Sequence, residues 1–312
     1  MALIVTFGEL LAEFVCIDDK GRPAPMTPRP GRFAGPFPSG APAIFVNQAA
    51  RMGVDTRILG AVGDDPFGLA ILERLESDGT DVSLLTRHRT LPTGTAHVGY
   101  NPDGSRDFVF HITASAAGAV DASAVAPLLA GANVVHISGA TLADATLRAI
   151  ALDVVRAVKR TSIKISFDPN VRPELLTSEL RAAAITCASA ADWMTPSSED
   201  LEALFPGADA LQSAGRWAEG GCIVAVTRGD AGAVLVHPGG QQAVAGHSVC
   251  AIDPTGAGDA FAATFAAAMM RGQSPEASMQ LANAAGALAT TKLGPMEGNS
   301  WLADVERLAR PS

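Results

Sequence analysis

The sequence predicts an α/β fold: a mostly parallel central sheet covered by helices on both faces, with a small β lid beside it. Two observations predict it. After residue 117, short apolar runs alternate with helical patterns, the rhythm of strand–helix–strand units joined by right-handed crossovers. Before that, Ala96, Val98 and Tyr100 alternate with polar neighbours, Asn101-Pro102-Asp103-Gly104 turns, and Phe108 and Phe110 follow. That is an antiparallel hairpin with one wet face. No repeat, low-complexity tract or linker interrupts the chain. Residues 1–312 are therefore expected to form one domain, with a lid from about residues 12–38 and 92–114.

Taken in order, Leu3-Ile4-Val5-Thr6-Phe7 is a buried strand ending at Gly8-Glu9. The proline-rich stretch from Pro23 to Pro38 suits an exposed ribbon and not a buried parallel strand. Ser39-Gly40-Ala41-Pro42 opens a helix that Gly53 ends, and Thr56 to Val62 is the next buried strand. Gly63-Asp64-Asp65-Pro66 starts a second helix, which places Phe67, Ile71 and Leu75 on one face and stops at Gly79. Later strands are expected at Asn133–Ile137, Ile163–Phe167, Asp192–Met194, Cys222–Thr227 and Ala233–Val236, the last two as a hairpin. Ligands in such sheets bind at the carboxyl ends of the strands.

The chain is 48% hydrophobic and 18% charged, enough for a substantial core. Asp plus Glu number 32 against 23 Lys plus Arg, a net charge of −9, which argues against nucleic acid or an anionic membrane as partner. Cys16, Cys187, Cys222 and Cys250 are far apart and read as reduced thiols of a cytoplasmic protein. The six histidines show no metal spacing; His136, beside Ser138-Gly139, reads as a strand-face residue or as part of a ligand pocket. The first apolar run meets Glu9 and Glu13 at once, so it is expected to be a strand and not a signal peptide. No apolar run is long enough to span a bilayer, and a soluble protein is expected.

The chemistry concentrates in Ala251–Phe261. Gly256, Ala257 and Gly258 lie between Asp253 and Asp259, and an alanine-rich helix follows to Arg271-Gly272. Small residues opening a helix let N–H groups converge on an anion. Asp259 at that mouth is either an N-cap on a tight turn or a base beside a phosphoryl-accepting hole; spacing alone leaves both open.

Asp253-Pro254-Thr255-Gly256-Ala257-Gly258-Asp259-Ala260-Phe261 resembles the C-terminal signature of the ribokinase-like (PfkB) family of sugar kinases. Gly8-Glu9 with Glu13, the run Gly60 to Gly68, and Asp168-Pro169-Asn170-Val171-Arg172 resemble further family motifs in the same order, so the likeness covers essentially the whole chain. It implies a three-layer ribokinase-like sandwich and transfer of the ATP γ-phosphoryl group to a sugar hydroxyl. By the resemblance Asp259 is the catalytic base, and Gly256, Ala257 and Gly258 are the anion hole. Glu13, Gly40 and Arg172 face the sugar, and Asn47 stands in for a sugar-binding asparagine whose own position reads Ile44. Ser197, Thr227, Gly229, Gly232 and Asn283, with Gly256 and Gly258, face the nucleotide. Where many members carry Asn-x-x-Glu, this chain has Ser197-x-x-Asp200 with Glu199 alongside, so either acid is a candidate to act on Mg²⁺ through water. Asp253 and Gly294 resemble positions near a monovalent-cation (K⁺) site, and a homodimer through the lid is implied.

The resemblance also bears on the sugar. Kinases of 2-keto-3-deoxygluconate share the arginine at Arg172 but add a tyrosine in the first lid strand and Tyr-x-Arg in the second. Those positions read Ala96, Phe110 and Ile112 here, so a neutral ketohexose of the tagatose or fructose type is expected, with the sugar acid second. The Rossmann oxidoreductase alternative fails because Gly256-x-Gly258 lacks a third glycine and lies late in the chain. A non-catalytic sugar binder would have no use for a base at Asp259.

Overall fold

β1 (Leu3–Phe7) shows why the core strands read as unbroken apolar runs. Val5 and Phe7 pack into one hydrophobic cluster and Ile4 into another, so helices cover the sheet on both sides. The computed structural model describes residues 2–103, 105–172 and 175–310; Gly104, assigned above to the hairpin turn, lies outside them.

From β1 the chain leaves for the lid as β2 (Leu11–Ile17) and β3 (Arg32–Ser39). It returns through α1 (Ala41–Arg51), β4 (Asp55–Gly63), α2 (Pro66–Ser77) and β5 (Thr80–His88). The hairpin β6 (Gly94–Tyr100) and β7 (Arg106–His111) completes the lid. Then come α3 (Val125–Leu129), β8 (Val134–Ser138), α4 (Ala145–Val158), β9 (Lys164–Asp168), α5 (Ser178–Ala190) and β10 (Trp193–Met194). The rest is α6 (Ser198–Leu204), α7 (Ala210–Glu219), β11 (Ile223–Thr227), β12 (Ala233–His237), β13 (Gly240–Val244), α8 (Ala257–Met270), α9 (Pro275–Ala289) and α10 (Leu302–Ala309).

The nine-stranded sheet runs β13-β12-β11-β10-β9-β8-β1-β4-β5. Every pairing from β11 to β5 is parallel, whereas β11, β12 and β13 form an antiparallel edge. Strand order reverses between β1 and β8, the kind of crevice in which α/β sheets hold ligands. Neither β5 nor β13 is anticipated from pattern. Both are edge strands, and β13 (Gly-Gln-Gln-Ala-Val) is almost wholly exposed, so no apolar rhythm marks it.

The lid is a four-stranded sheet, β3-β2-β6-β7. It is not wholly antiparallel, because β2 pairs with β6 in parallel. Both strands leave the same carboxyl edge of the large sheet, so they run the same way. Pro36 and Pro38 are confined to β3, the lid's edge strand, where missing N–H donors do least damage.

Candidate active site

Two cavities meet at the turn before α8. Gly256 caps that helix at φ +81, and an added Cβ would lie 2.3 Å from the Pro295 carbonyl oxygen. Only glycine closes the turn there. The first N–H groups of α8 point out of its N-terminus without intrahelical partners, at the positive end of its dipole. Thr255 and Gly256 line one cavity, while Pro254, Ala257 and Gly258 line the other. This turn is therefore the wall the cavities share.

Asp259 lies in the first turn of α8, 5% exposed, and α8 has no side-chain cap, which removes the N-cap reading. Its Oδ1 accepts a hydrogen bond from Asn170 Nδ2 at 3.1 Å. Asn170 follows β9 at φ +40, the one non-glycine residue with positive φ among the described residues. Such a conformation is tolerated by asparagine, and here it aims the amide at the acid. Burial pushes the Asp259 carboxyl up to about 7; the Arg172 guanidinium pulls it down, Glu9 adds to the rise and Arg106 opposes it. A carboxyl poised there is a competent general base near neutrality.

A pH dependence follows. The base works only when ionised, so kcat/KM is expected to fall on the acid side with a midpoint near pH 7. Replacing Arg172 by glutamine removes a charge that favours ionisation and should move that midpoint upward. Initial rates between pH 5 and 9 check both; a wild-type limb with its midpoint below pH 5 would refute the assignment.

The first cavity holds Glu9, Glu13, Gly40, Ile44, Arg172 and Asp259, roofed by Ala96, Phe108, Phe110 and Ile112 of the lid. With the lid down, about 80 Å³ remains, against 610 Å³ in the second cavity. Glu13 is 3% exposed; Ser39 Oγ donates to its Oε2 at 2.9 Å, and its Oε1 is buried without a partner. Burial raises the Glu13 carboxyl to about 7. A buried acceptor left unmade is costly, and a ligand hydroxyl would satisfy it. Glu9, quoted above only as part of a motif, also lines this cavity and accepts from Thr141 Oγ1 at 2.7 Å.

Asn47 does not reach this cavity. It is fully buried; its Nδ2 donates to Asp78 Oδ2 at 2.6 Å, and its Oδ1 accepts from Asn299 Nδ2 at 2.8 Å. Asp78 also holds Arg51 at 2.8 Å and Arg74 at 2.9 Å, so Asn47 belongs to a network joining α1, α2 and the loop near Asn299. The sugar-binding assignment for Asn47 is thus corrected. His136 is likewise no pocket residue: it stacks on Phe45 and pairs with Ser166 Oγ at 3.0 Å inside the sheet.

The second cavity is lined by Thr227, Gly229, Gly232, Ala257, Gly258, Asn283 and neighbouring loop residues. Asn283 Nδ2 donates to the Ala245 carbonyl at 2.7 Å. Ser197 is bridged to Thr227 at the edge of this cavity and is not among the residues that line it. It is the N-cap of α6, in a capping box with Asp200: Asp200 N–H donates to Ser197 Oγ at 3.0 Å, and Ser197 N–H to Asp200 Oδ2 at 2.8 Å. The other Asp200 oxygen accepts from Val171 N–H at 2.6 Å. Of the two acids considered for Mg²⁺, Asp200 is buried and Glu199 is exposed on α6. Asp253, fully buried, accepts from Tyr100 Oη, from Thr255 N–H at 2.9 Å and from Gly294 N–H at 2.8 Å.

An acid poised at neutral pH, an anion-binding turn and a ligand cavity on each side of it make up the centre of a group-transfer enzyme with two substrates. Comparison with known proteins names the class. The model of the pfkB family of carbohydrate kinases matches residues 1–302. The fructokinase of Klebsiella pneumoniae is 31% identical over 283 residues, covering 86% of this chain and 91% of that one. Among solved structures, a putative ribokinase II from E. coli in complex with ATP and Mg²⁺ superimposes with a TM-score of 0.89 at 35% identity, covering 99% of both chains. The fructokinase of Vibrio cholerae O395, bound to fructose, ADP and calcium, gives 0.83 at 26% identity, again over 99% of each. The chain belongs to the pfkB family of carbohydrate kinases, and it is an enzyme of that class.

Proposed function

We propose that this protein uses ATP and Mg²⁺ to phosphorylate a neutral ketohexose of the fructose or tagatose type. The observation that carries this reading is the first cavity. It offers sugar hydroxyls the unpartnered Glu13 Oε1 and the Glu9 carboxyl, and the lid residues that line it, Ala96, Phe108, Phe110 and Ile112, are apolar. The fructokinase of Klebsiella pneumoniae and the fructose-bound enzyme of Vibrio cholerae support the choice of sugar. The ATP- and Mg²⁺-bound relative from E. coli supports the nucleotide.

In this reading the sugar lies under the lid with its reacting hydroxyl at Asp259, and ATP fills the second cavity. Asp259 takes the hydroxyl proton as the phosphoryl group passes the Gly256–Gly258 turn. The residues present fit Mg²⁺ held through its waters. Asp168 and Asp200 are buried acids beside the cleft, and burial with the nearby charges of Asp200 and Asp259 drives the Asp168 carboxyl up, a repulsion that a hydrated cation relieves. When bound with the nucleotide, Mg²⁺ neutralises phosphate charge. Potassium is not part of the proposal; Asp253 already accepts hydrogen bonds from Tyr100, Thr255 and Gly294.

The proposal also includes a second copy docked on the outer face of the lid. Phe33 and Val109 are exposed there, and His97 stacks on Phe14. A monomeric mass by light scattering would remove that part. A cytoplasmic location suits the four free thiols, and among the described residues no helix is long and apolar enough to cross a membrane.

The test is ADP formation across ketohexoses, aldoses and sugar acids. Fructose or tagatose should give the highest kcat/KM. The runner-up is 2-keto-3-deoxygluconate, favoured by Arg172 on the cavity wall. A kcat/KM for that acid more than about tenfold above every ketohexose, a gap worth ~1.4 kcal/mol, would overturn the choice.

A further inference from the structure

The tip of the lid hairpin lands on the anion-binding turn. Tyr100 at the end of β6 and Arg106 at the start of β7 are opposite one another in the register, and both reach Thr255, the residue before Gly256. Tyr100 Oη lies 2.7 Å from Thr255 Oγ1 and donates to the Asp253 carboxylate. Arg106 Nη1 lies 3.4 Å from the same hydroxyl. The guanidinium carbons of Arg106 and Arg172 each lie 5.7 Å from the centre of the Phe108 ring, which lines the sugar cavity. The lid and the core therefore each bring one arginine to the same aromatic face of the cleft.

Among the described residues, no carboxylate lies within 4.0 Å of Arg106, although other arginines of this chain pair with Asp78 at the end of α2 and Asp81 on β5. Among the described residues this half-buried guanidinium has one hydrogen-bond partner, a hydroxyl at long range, which leaves most of its donors for a ligand. Its planar fork matches phosphate oxygens better than any neutral sugar group. Its place is set by a tyrosine latched onto the phosphate-binding turn, so the cation is correctly positioned only when the hairpin is docked.

We propose that Arg106 is a catalytic residue carried by the lid, whose guanidinium contacts the phosphoryl group during transfer, with Tyr100 as its positioning residue. This rests on the kinase reading above and adds a residue to it. In the step, the bond from the γ-phosphorus to the ADP oxygen breaks and a bond to the sugar oxygen forms. The hydroxyl proton goes to Asp259, and Arg106 keeps its own protons and supplies only charge and hydrogen bonds.

The experiment is steady-state kinetics with ATP and fructose on wild type, Arg106→Gln, Arg106→Lys, Tyr100→Phe and the double variant Arg106→Gln/Tyr100→Phe. Arg106→Gln should lower kcat by about 10²–10³, the loss seen when a donor to developing charge is removed, with both KM values within about threefold. Arg106→Lys should recover part of the rate, and millimolar guanidinium should partly rescue Arg106→Gln while leaving wild type unchanged. Tyr100→Phe should lower kcat less than Arg106→Gln and add little on top of it, because the latch acts through the arginine. A kcat within threefold of wild type, or a sugar KM raised more than tenfold at constant kcat, overturns the proposal; the second result would make Arg106 a sugar-side contact. If wild type turns over no ketohexose, the sugar assignment fails by itself, and the same ratios are read with 2-keto-3-deoxygluconate.

Discussion

Asp259→Asn is expected to lower kcat by about 10²–10⁴, the usual worth of a positioned general base, while ADP affinity stays within threefold. The amide is isosteric, and Asp259 caps nothing: Gly256 closes the start of α8. What disappears is a proton acceptor in a site where burial holds the carboxyl near 7. The Asn170 amide, which donates to Asp259 Oδ1 at 3.1 Å, can turn to the new side chain without moving the backbone. Stopped-time ADP assays and calorimetry of ADP binding measure the two quantities separately. A residual kcat within threefold of wild type would reduce Asp259 to a structural acid.

Gly256→Ala is expected to cost kcat by about 10²–10³, comparable to losing an oxyanion-hole donor, and to destabilise the fold by about 1–3 kcal/mol. At φ +81 an alanine is strained, and its methyl would sit 2.3 Å from the Pro295 carbonyl oxygen. That carbonyl cannot retreat easily. Its loop is held on one side by Gly294 N–H on Asp253 at 2.8 Å and on the other by Arg74 on the Met296 carbonyl at 2.9 Å. The turn must therefore open, and the hole with it. Gly258 provides the control, because an added Cβ there meets nothing within 4 Å and the φ is ordinary. Thermal melts should show Gly256→Ala destabilised and Gly258→Ala near wild type; equal losses would defeat the steric account.

Much of this centre is written in contiguous residues. The Gly256–Asp259 turn, the acid after β1 and the Asp168–Arg172 loop each follow a strand or open a helix, and a pleated, doubly covered sheet brings strand ends together wherever they lie in the chain. Asn47 shows where that reasoning fails. It stands three residues after Ile44 on α1, a rotation of roughly 60° about the helix axis. That is enough to carry it from the first cavity to the α1–α2 interface, where it meets Asp78. Ser197 and Asp200 carried a second, local meaning in the same spacing, a capping box, and the fold uses it.

Asn170 was visible as a letter in the Asp-Pro-Asn-Val-Arg run, yet nothing local foretold φ +40 or its aim at Asp259. Tyr100 read as one more apolar position in an alternating strand, and no pattern in the sequence singled out Arg106. Their shared contact with Thr255 spans a sequence separation of about 150 residues.

By itself the sequence determined the alternating α/β architecture, the lid as a separate polar-faced sheet and the glycine turn that opens α8 with its acid. These depend on hydrophobic period and on glycine and proline conformations, which are set within a few residues. Only the tertiary structure decided how strongly Asp259 and Glu13 are driven toward neutral pH, which side of α1 faces the first cavity, and that the lid's tip docks on the turn before α8. Those depend on burial and on partners brought from distant parts of the chain, because desolvation and charge pairing are properties of packed neighbours and not of sequence neighbours.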